Sequence, residues 1–171
     1  MKPITFGQAQ QLTSPNPFCL ISTCDADGRN NLMALSWWTY LSNHPATIGV
    51  CLSRRGYSGT LIQETGEFCL CIPDVTLTDA AFRCGTCSGR DMDKAAAFGI
   101  ELEEAEAIKP LRVVNSRLVM ECRLIDQRDV QEHTLYIAEV VGCFARPDAK
   151  GLYAADGYRR LCTVSPDTKN S

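Results

Sequence analysis

The chain lacks a G-x-G-x-x-G fingerprint, a G-x-x-x-x-G-K-[ST] phosphate loop and an H-E-x-x-H signature. A Rossmann site, a P-loop and a zincin-type metal centre are therefore excluded. No G-x-S-x-G elbow is present to carry a serine triad. Only two histidines occur, His44 and His133, too few for a histidine-rich metal site. Basic residues are not in excess: 17 Lys and Arg stand against 20 Asp and Glu, for a net charge of −3. That balance argues against a nucleic-acid partner recruited through a basic surface. No apolar run approaches a membrane span, and Met1 to Gln8 carries no signal-peptide core. The expectation is a soluble, cytoplasmic protein with no nucleic-acid or membrane partner.

What is present is an ordinary globular composition, 45% hydrophobic and 22% charged over 171 residues. This suits one domain, residues 1–164, followed by a polar tail, 165–171. Ten cysteines are unusual for that length. Many stand where a strand needs a small apolar residue, as in Phe18-Cys19-Leu20-Ile21 and Phe68-Cys69-Leu70-Cys71-Ile72. Without an export signal they read as buried, reduced core residues. Cys84-Gly85-Thr86-Cys87 is a C-x-x-C, open to three readings: a redox dithiol, half of a metal site, or two reduced loop thiols.

Strand signals dominate. Phe18–Cys24 and Asn31–Trp38 flank the turn segment Asp25–Asn30 and predict a hairpin. Ala46–Ser53 and Phe68–Ile72 predict two more strands. Leu118–Ile125 alternates with a period of two, and Thr134–Phe144 reads as a strand packed on both faces. Helices are few: Thr60–Glu64, Thr78–Arg83, and Asp91–Phe98 with Asp91 as N-cap and Gly99 as stop. Many short strands with Gly and Pro turns point to a closed or sandwich-like antiparallel β structure. Regular intervening helices are missing, so a parallel α/β sheet is disfavoured.

Three segments could together hold a phosphate-bearing ligand. Ser88 and Gly89 precede the expected helix start, with Arg90 and Lys94 adding charge. Ser53-Arg54-Arg55-Gly56-Tyr57-Ser58-Gly59-Thr60 is rich in hydroxyls, arginines and glycines. Asn31-Leu32-Met33-Ala34-Leu35-Ser36-Trp37-Trp38 could offer a flat apolar bed with polar groups along one edge. Taken singly, each also reads as a capped helix, a polar turn and a core strand.

In this order these pieces resemble the flavin reductase-like family, and specifically its flavoredoxin-type branch. The resemblance spans roughly Pro17 to Tyr158. It rests on Asn31–Trp37 with His44-Pro45, Ser53–Ser58, Ile62-x-Glu64-Thr65-Gly66-Glu67-Phe68, Cys84-Gly85-x-x-Ser88-Gly89-Arg90-Asp91-x-Asp93-Lys94, Glu121-Cys122-Arg123 and His133-Thr134-Leu135-Tyr136. The chain departs from the usual pattern at Gln131-Glu132, where Gly-Asp often precedes the histidine. It also departs at Cys71 (often Asn), at Ala95 (often Phe) and at His44-Pro45-Ala46 (more usually acidic-Pro-Pro).

The resemblance implies a mainly β fold: a split barrel, that is, a Greek-key antiparallel β-barrel with a few peripheral helices. It implies a homodimer with FMN near the interface. It assigns cofactor binding to Asn31, Met33, Leu35, Ser36, Trp37, Ser53, Arg54, Ser58, Ser88, Gly89, Lys94 and His133, with no catalytic side chain. Hydride from NADH or NADPH to flavin is the leading expectation. An FMN electron carrier reduced by another redox protein is the second, and a thiol or metal protein built on Cys84 and Cys87 is the third.

Overall fold

The structure is a computed structural model that describes residues 1–164; the polar tail expected at 165–171 lies outside the described residues. Helix α1 (Phe6–Leu12) and strand β1 (Asn16–Pro17) lead into β2 (Cys19–Cys24), β3 (Asn30–Leu35), β4 (Trp38–Asn43) and β5 (Ala46–Ser53). Helix α2 (Tyr57–Thr65) and β6 (Glu67–Pro73) follow, then α3 (Thr78–Cys84) and α4 (Lys94–Phe98). The chain closes with the short pair β7 (Leu102–Glu103) and β8 (Arg112–Val113), β9 (Ser116–Val130), β10 (His133–Ala145), β11 (Leu152–Ala155) and β12 (Arg160–Thr163).

Seven strands form one antiparallel sheet in the order β3-β2-β6-β9-β10-β5-β4. Its two edges, β3 and β4, are consecutive in the chain and joined only by Ser36 and Trp37. Laid flat, seven strands at about 4.8 Å spacing would hold those edges about 29 Å apart. Three peptide steps from Leu35 to Trp38 reach at most about 11 Å. The sheet must therefore curl until its edges nearly meet, which makes the split barrel. At the seam the Cys51 N–H donates to the Trp37 carbonyl at 2.8 Å.

Alternation sorts the strands into two cores. Ile21, Val50, Phe68, Leu70, Met120 and Tyr136 fill the barrel, with Ile62 of α2 packed against them. Leu20, Cys69, Cys71, Val119 and Leu152 face outward, beneath α3, Ile100, Ile108 and Val113. The expected two-sided packing of Thr134–Phe144 holds only in part. Thr134, Tyr136 and Ala138 are buried and alternate with partly exposed neighbours; Val140 joins the inner core, and the bulge between Val140 and Gly142 changes the pattern so that Val141 and Phe144 join the outer.

The cysteines behave as small apolar residues. All ten are free, and Cys19, Cys24, Cys69, Cys71, Cys84 and Cys122 are buried. Burial raises the thiol pKa of Cys19 and Cys122, and in Cys69 the hydrogen bond with Cys71 raises it first and burial second, so these thiols stay protonated.

Two expected elements differ. The strand expected over Asn31–Trp38 breaks after Leu35, because the chain there leaves β2 and joins β5. The helix expected from Asp91 begins at Lys94: Ser88–Asp91 closes a separate turn, and Asp93 is the N-cap, accepting from the Ala96 N–H. Gly99 stops the helix as expected, in the left-handed region at φ 65°.

Candidate functional site

The break between β3 and β4 opens a cleft with two joined halves. The apolar half, about 380 Å³, is lined by Met33, Ala34, Leu35, Ser36 and Trp37 on one side and by Cys51, Leu52 and Ser53 of β5 on another. Phe18, Phe82, His133, Ala154, Tyr158 and Leu161 complete its walls. The polar half, about 470 Å³, is lined by Asn31, Arg55, Tyr57, Ser58, Thr86, Cys87, Ser88, Gly89, Arg90 and Lys94. Met33, Gly56, Gly85 and Thr86 border both.

Period-two alternation places Asn31, Met33 and Leu35 on one face of β3. Asn31 is the anchor of the polar half. Its amide N–H groups donate to Ser58 Oγ at 2.9 Å and to Thr23 Oγ1 at 3.1 Å, so β2, β3 and α2 are tied at one buried point. Gly89 lies directly against it: a Cβ there would stand 1.9 Å from Asn31 Oδ1. Only glycine lets the Ser88–Arg90 turn approach so closely. Gly89→Ala is expected to push the turn away or break the Asn31–Ser58 contact. Ligand affinity should fall at least tenfold and the melting temperature by several degrees, as isothermal titration and thermal unfolding would report.

Lys94 is nearly buried, and its ammonium donates to the Cys84 carbonyl at 2.7 Å. As the first residue of α4, its side chain reaches back over the preceding turn, toward the cleft. Desolvation lowers its pKa from the ordinary lysine value. Arg90 stacks on the Tyr57 ring at 4.9 Å and donates to the Arg55 carbonyl at 3.4 Å. The polar half thus carries three cations and, among the described residues that line it, no carboxylate. In a chain with net charge −3 this is a local inversion of sign suited to an anion.

In the apolar half, Trp37 and His133 sit ring to ring at 4.9 Å, tilted by 33°. His133 starts β10 opposite Ser53 and Val130, with Nδ1 3.6 Å from the Glu132 carboxylate. Ser36 Oγ is buried without a hydrogen-bond partner, the one such side-chain atom among the described residues that lines the cleft. A hydroxyl in that state costs about 1–3 kcal/mol unless a ligand completes it. A flat ring with polar edges, carrying a chain that ends in phosphate, matches both halves: FMN fits these residues.

The structure gathers eleven of the twelve expected positions around the cleft: Asn31, Met33, Leu35, Ser36, Trp37, Ser53, Ser58, Ser88, Gly89, Lys94 and His133. Arg54 is not among them. Its guanidinium pairs with Asp129 at 3.4 Å and its N–H donates to the Glu132 carbonyl, on the β9–β10 hairpin; the adjacent Arg55 lines the polar half instead. Phe82, Thr86 and Tyr158 are cleft residues that sequence reasoning missed. Thr86 lies inside the C-x-x-C and Phe82 just before it, and Tyr158 carries no local motif.

The two thiols of the C-x-x-C are free and differ in exposure. Cys84 is buried with its thiol pushed up to about 11 by desolvation, while Cys87 Sγ lies 3.6 Å from the Arg83 carbonyl. Among the described residues no three His, Cys, Asp or Glu side chains converge as metal ligands would.

A split barrel opened at its seam into a half-apolar, half-cationic cleft is the architecture of flavin reductase-like proteins. The Flavin reductase like domain matches residues 12–162, and the chain belongs to that family. Flavoredoxin of Desulfovibrio vulgaris (Miyazaki F) superposes with a TM-score of 0.85 at 27% identity, over 100% of this chain and 97% of that one. A ferric-chelate reductase (NAD(P)H) of Archaeoglobus fulgidus is 26% identical over 137 residues, 80% of either chain. A second A. fulgidus protein is 29% identical over 111 residues, and the aligned region spans 63% of its length. No helix of the described residues is long and apolar enough to cross a membrane.

Proposed function

We propose that this protein is an FMN-dependent oxidoreductase that takes hydride from NADH or NADPH and passes the electrons onward. The observation that carries this is the single cleft joining the unpartnered Ser36 hydroxyl to three cations at its other end. The flavin supplies the redox chemistry, accepting two electrons as hydride and releasing them to an acceptor. Met33, Ala34 and Leu35 supply the apolar bed. Ser36 supplies a hydroxyl for a polar ring edge. Ser58, Ser88, Arg55, Arg90 and Lys94 hold the phosphate by neutral and charge-assisted hydrogen bonds. The Trp37–His133 pair bounds the ring end and keeps water from it. No nucleophile or general base is needed.

Purified protein is expected to carry a flavin absorption spectrum through gel filtration, or to acquire one stoichiometrically when FMN is added. A colourless protein that does not bind FMN would overturn the assignment. A second reading, an FMN electron carrier reduced by another redox protein, is favoured by the full-length likeness to a flavoredoxin. Stopped-flow reduction separates the two: fast, saturable reduction by NADH or NADPH supports the enzyme.

We also infer that two copies associate through the β4 side of the barrel. Tyr40 and Leu41 on that edge strand are exposed, 64% and 47%. Light scattering should then give twice 18.8 kDa.

A further inference from the structure

Most of the cysteines are buried, but Cys87 belongs to neither core and lines the polar half of the cleft. The motif Cys84-Gly85-x-x-Ser88 specifies the first thiol of the C-x-x-C and leaves position 87 open.

The end of α3 brings the two thiols together. The Gly85 N–H donates to the Phe82 carbonyl at 3.1 Å and the Thr86 N–H to the Arg83 carbonyl at 3.0 Å. These are the three-residue steps of a tightened helical turn, in which side chains three apart eclipse each other. Cys84 lies within electrostatic reach of both Cys87 and the Lys94 ammonium, and Lys94 within reach of both thiols. Their exposure is graded. Cys84 is 1% exposed, whereas Cys87 is half-buried, with its Sγ 3.6 Å from the Arg83 carbonyl. An open thiol beside a covered one is the arrangement of an attacking and a resolving thiol.

We propose that Cys84 and Cys87 are an oxidisable pair whose disulfide lowers the affinity of the cleft for FMN. This rests on the flavin reading above. The oxidant is a small-molecule disulfide. The Cys87 thiolate attacks one of its sulfurs, that S–S bond breaks, and one thiol leaves. Cys84 then loses its proton to water and attacks Cys87 Sγ; the Cys84–Cys87 bond forms and the second thiol leaves. The pair has given up two protons and two electrons, and the oxidant has become two thiols. Desolvation keeps the Cys84 thiol protonated, and the nearby Lys94 charge counters part of that effect.

Closing the pair acts on the phosphate end from both sides. The Cys84 carbonyl is the partner that orients the Lys94 ammonium, at 2.7 Å. Cys87 is followed directly by Ser88 and Gly89, and Gly89 is pressed against Asn31. Drawing Cys87 off the Arg83 carbonyl toward Cys84 therefore displaces Ser88 and Gly89, or turns the Cys84 carbonyl away from Lys94. Either change takes a phosphate donor out of position. Linkage makes the effect reciprocal, so bound FMN opposes the disulfide by the same factor.

The test uses the full chain equilibrated in dithiothreitol redox buffers. Alkylation and peptide mapping read the disulfide, and fluorescence titration reads FMN binding. Oxidised protein should hold a Cys84–Cys87 disulfide and bind FMN at least tenfold more weakly than reduced protein, and added dithiothreitol should restore binding. Saturating FMN should raise the reduction potential of the pair by about 30 mV for each tenfold loss of affinity. In Cys87→Ser and in Cys87→Ala, oxidised and reduced samples should bind FMN alike.

Cys84 and Cys87 that both remain thiols in the most oxidising buffer would overturn the proposal. So would a mapped disulfide that leaves FMN affinity within about twofold, or an affinity loss that persists in both variants. In each of these cases the reduced parent still binds FMN and the flavin reading stands. A reduced parent that binds no FMN removes that reading, and the proposal with it. If a variant binds no FMN even when reduced, the parent's peptide map, affinity ratio and FMN-dependent potential decide.

Discussion

Lys94→Met should weaken FMN binding by about 30- to 150-fold, the factor that corresponds to losing about 2–3 kcal/mol of charge-assisted hydrogen bonding. Methionine keeps the length and apolar stem of the side chain and removes the ammonium. One donor of that ammonium already serves the Cys84 carbonyl, which leaves two for a ligand. The pH dependence has a definite sign. Burial lowers the Lys94 pKa below its usual 10.5 in the free protein, and a bound phosphate would raise it again. Protonated Lys94 therefore favours binding. Affinity should be flat below the lowered free-protein value and fall by up to tenfold per pH unit above it. Titrations across that alkaline window should show the slope in the parent and none in Lys94→Met. Equal affinities in the two proteins would remove Lys94 from the phosphate site.

Glu121→Ala should have the largest effect on stability. Glu121 is fully buried, and its carboxylate accepts from the Glu106 and Ala107 N–H groups at 2.9 and 2.7 Å. Arg112 lies 3.6 Å from it, with its guanidinium over the Phe144 ring at 4.4 Å. Truncation leaves two inward-facing N–H groups unpaired and removes a partner from a cation that is mostly buried. Breaking a buried pair on one side costs about 3–5 kcal/mol. Urea unfolding should show a loss of that order. A loss under about 1 kcal/mol would mean that the 104–110 segment finds other partners, since surface changes of that size are ordinary.

Much of the site was legible in sequence because its members sit on regular strands or beside glycines. Ser88-Gly89 is legible from its place before an expected helix start, and Met33 and Leu35 only through the family resemblance; β3 alternation is why Asn31, Met33 and Leu35 share a face. What was illegible depends on contacts between distant segments. Leu35-Ser36-Trp37-Trp38 reads as unbroken strand, since nothing local says that pairing passes from β2 to β5 within it. Asp91 is the cap expected from sequence; the Ser88–Asp91 turn, closed by its own hydrogen bond, moves the cap to Asp93. Arg54 and Arg55 are adjacent and chemically alike, and only the hairpin carrying Asp129 draws the first away from the cleft. Tyr158 lies in a segment without a motif and reaches the site because Ser14 and Gln11 of the α1 region brace its turn.

The two-residue bridge between the sheet edges also governs when the cleft can exist during folding. β3 and β4 are sequence neighbours, but their partners β2 and β5 are linked only through β6, β9 and β10. Local hairpins such as β2–β3, β4–β5 and β9–β10 can form early. The seam at Ser36–Trp37 closes only when the distant β6–β9 and β5–β10 pairings are made, which are the slow, high-contact-order events. A cofactor bound at that seam meets no partial site on the way. It should slow unfolding in proportion to its occupancy and leave the refolding rate unchanged.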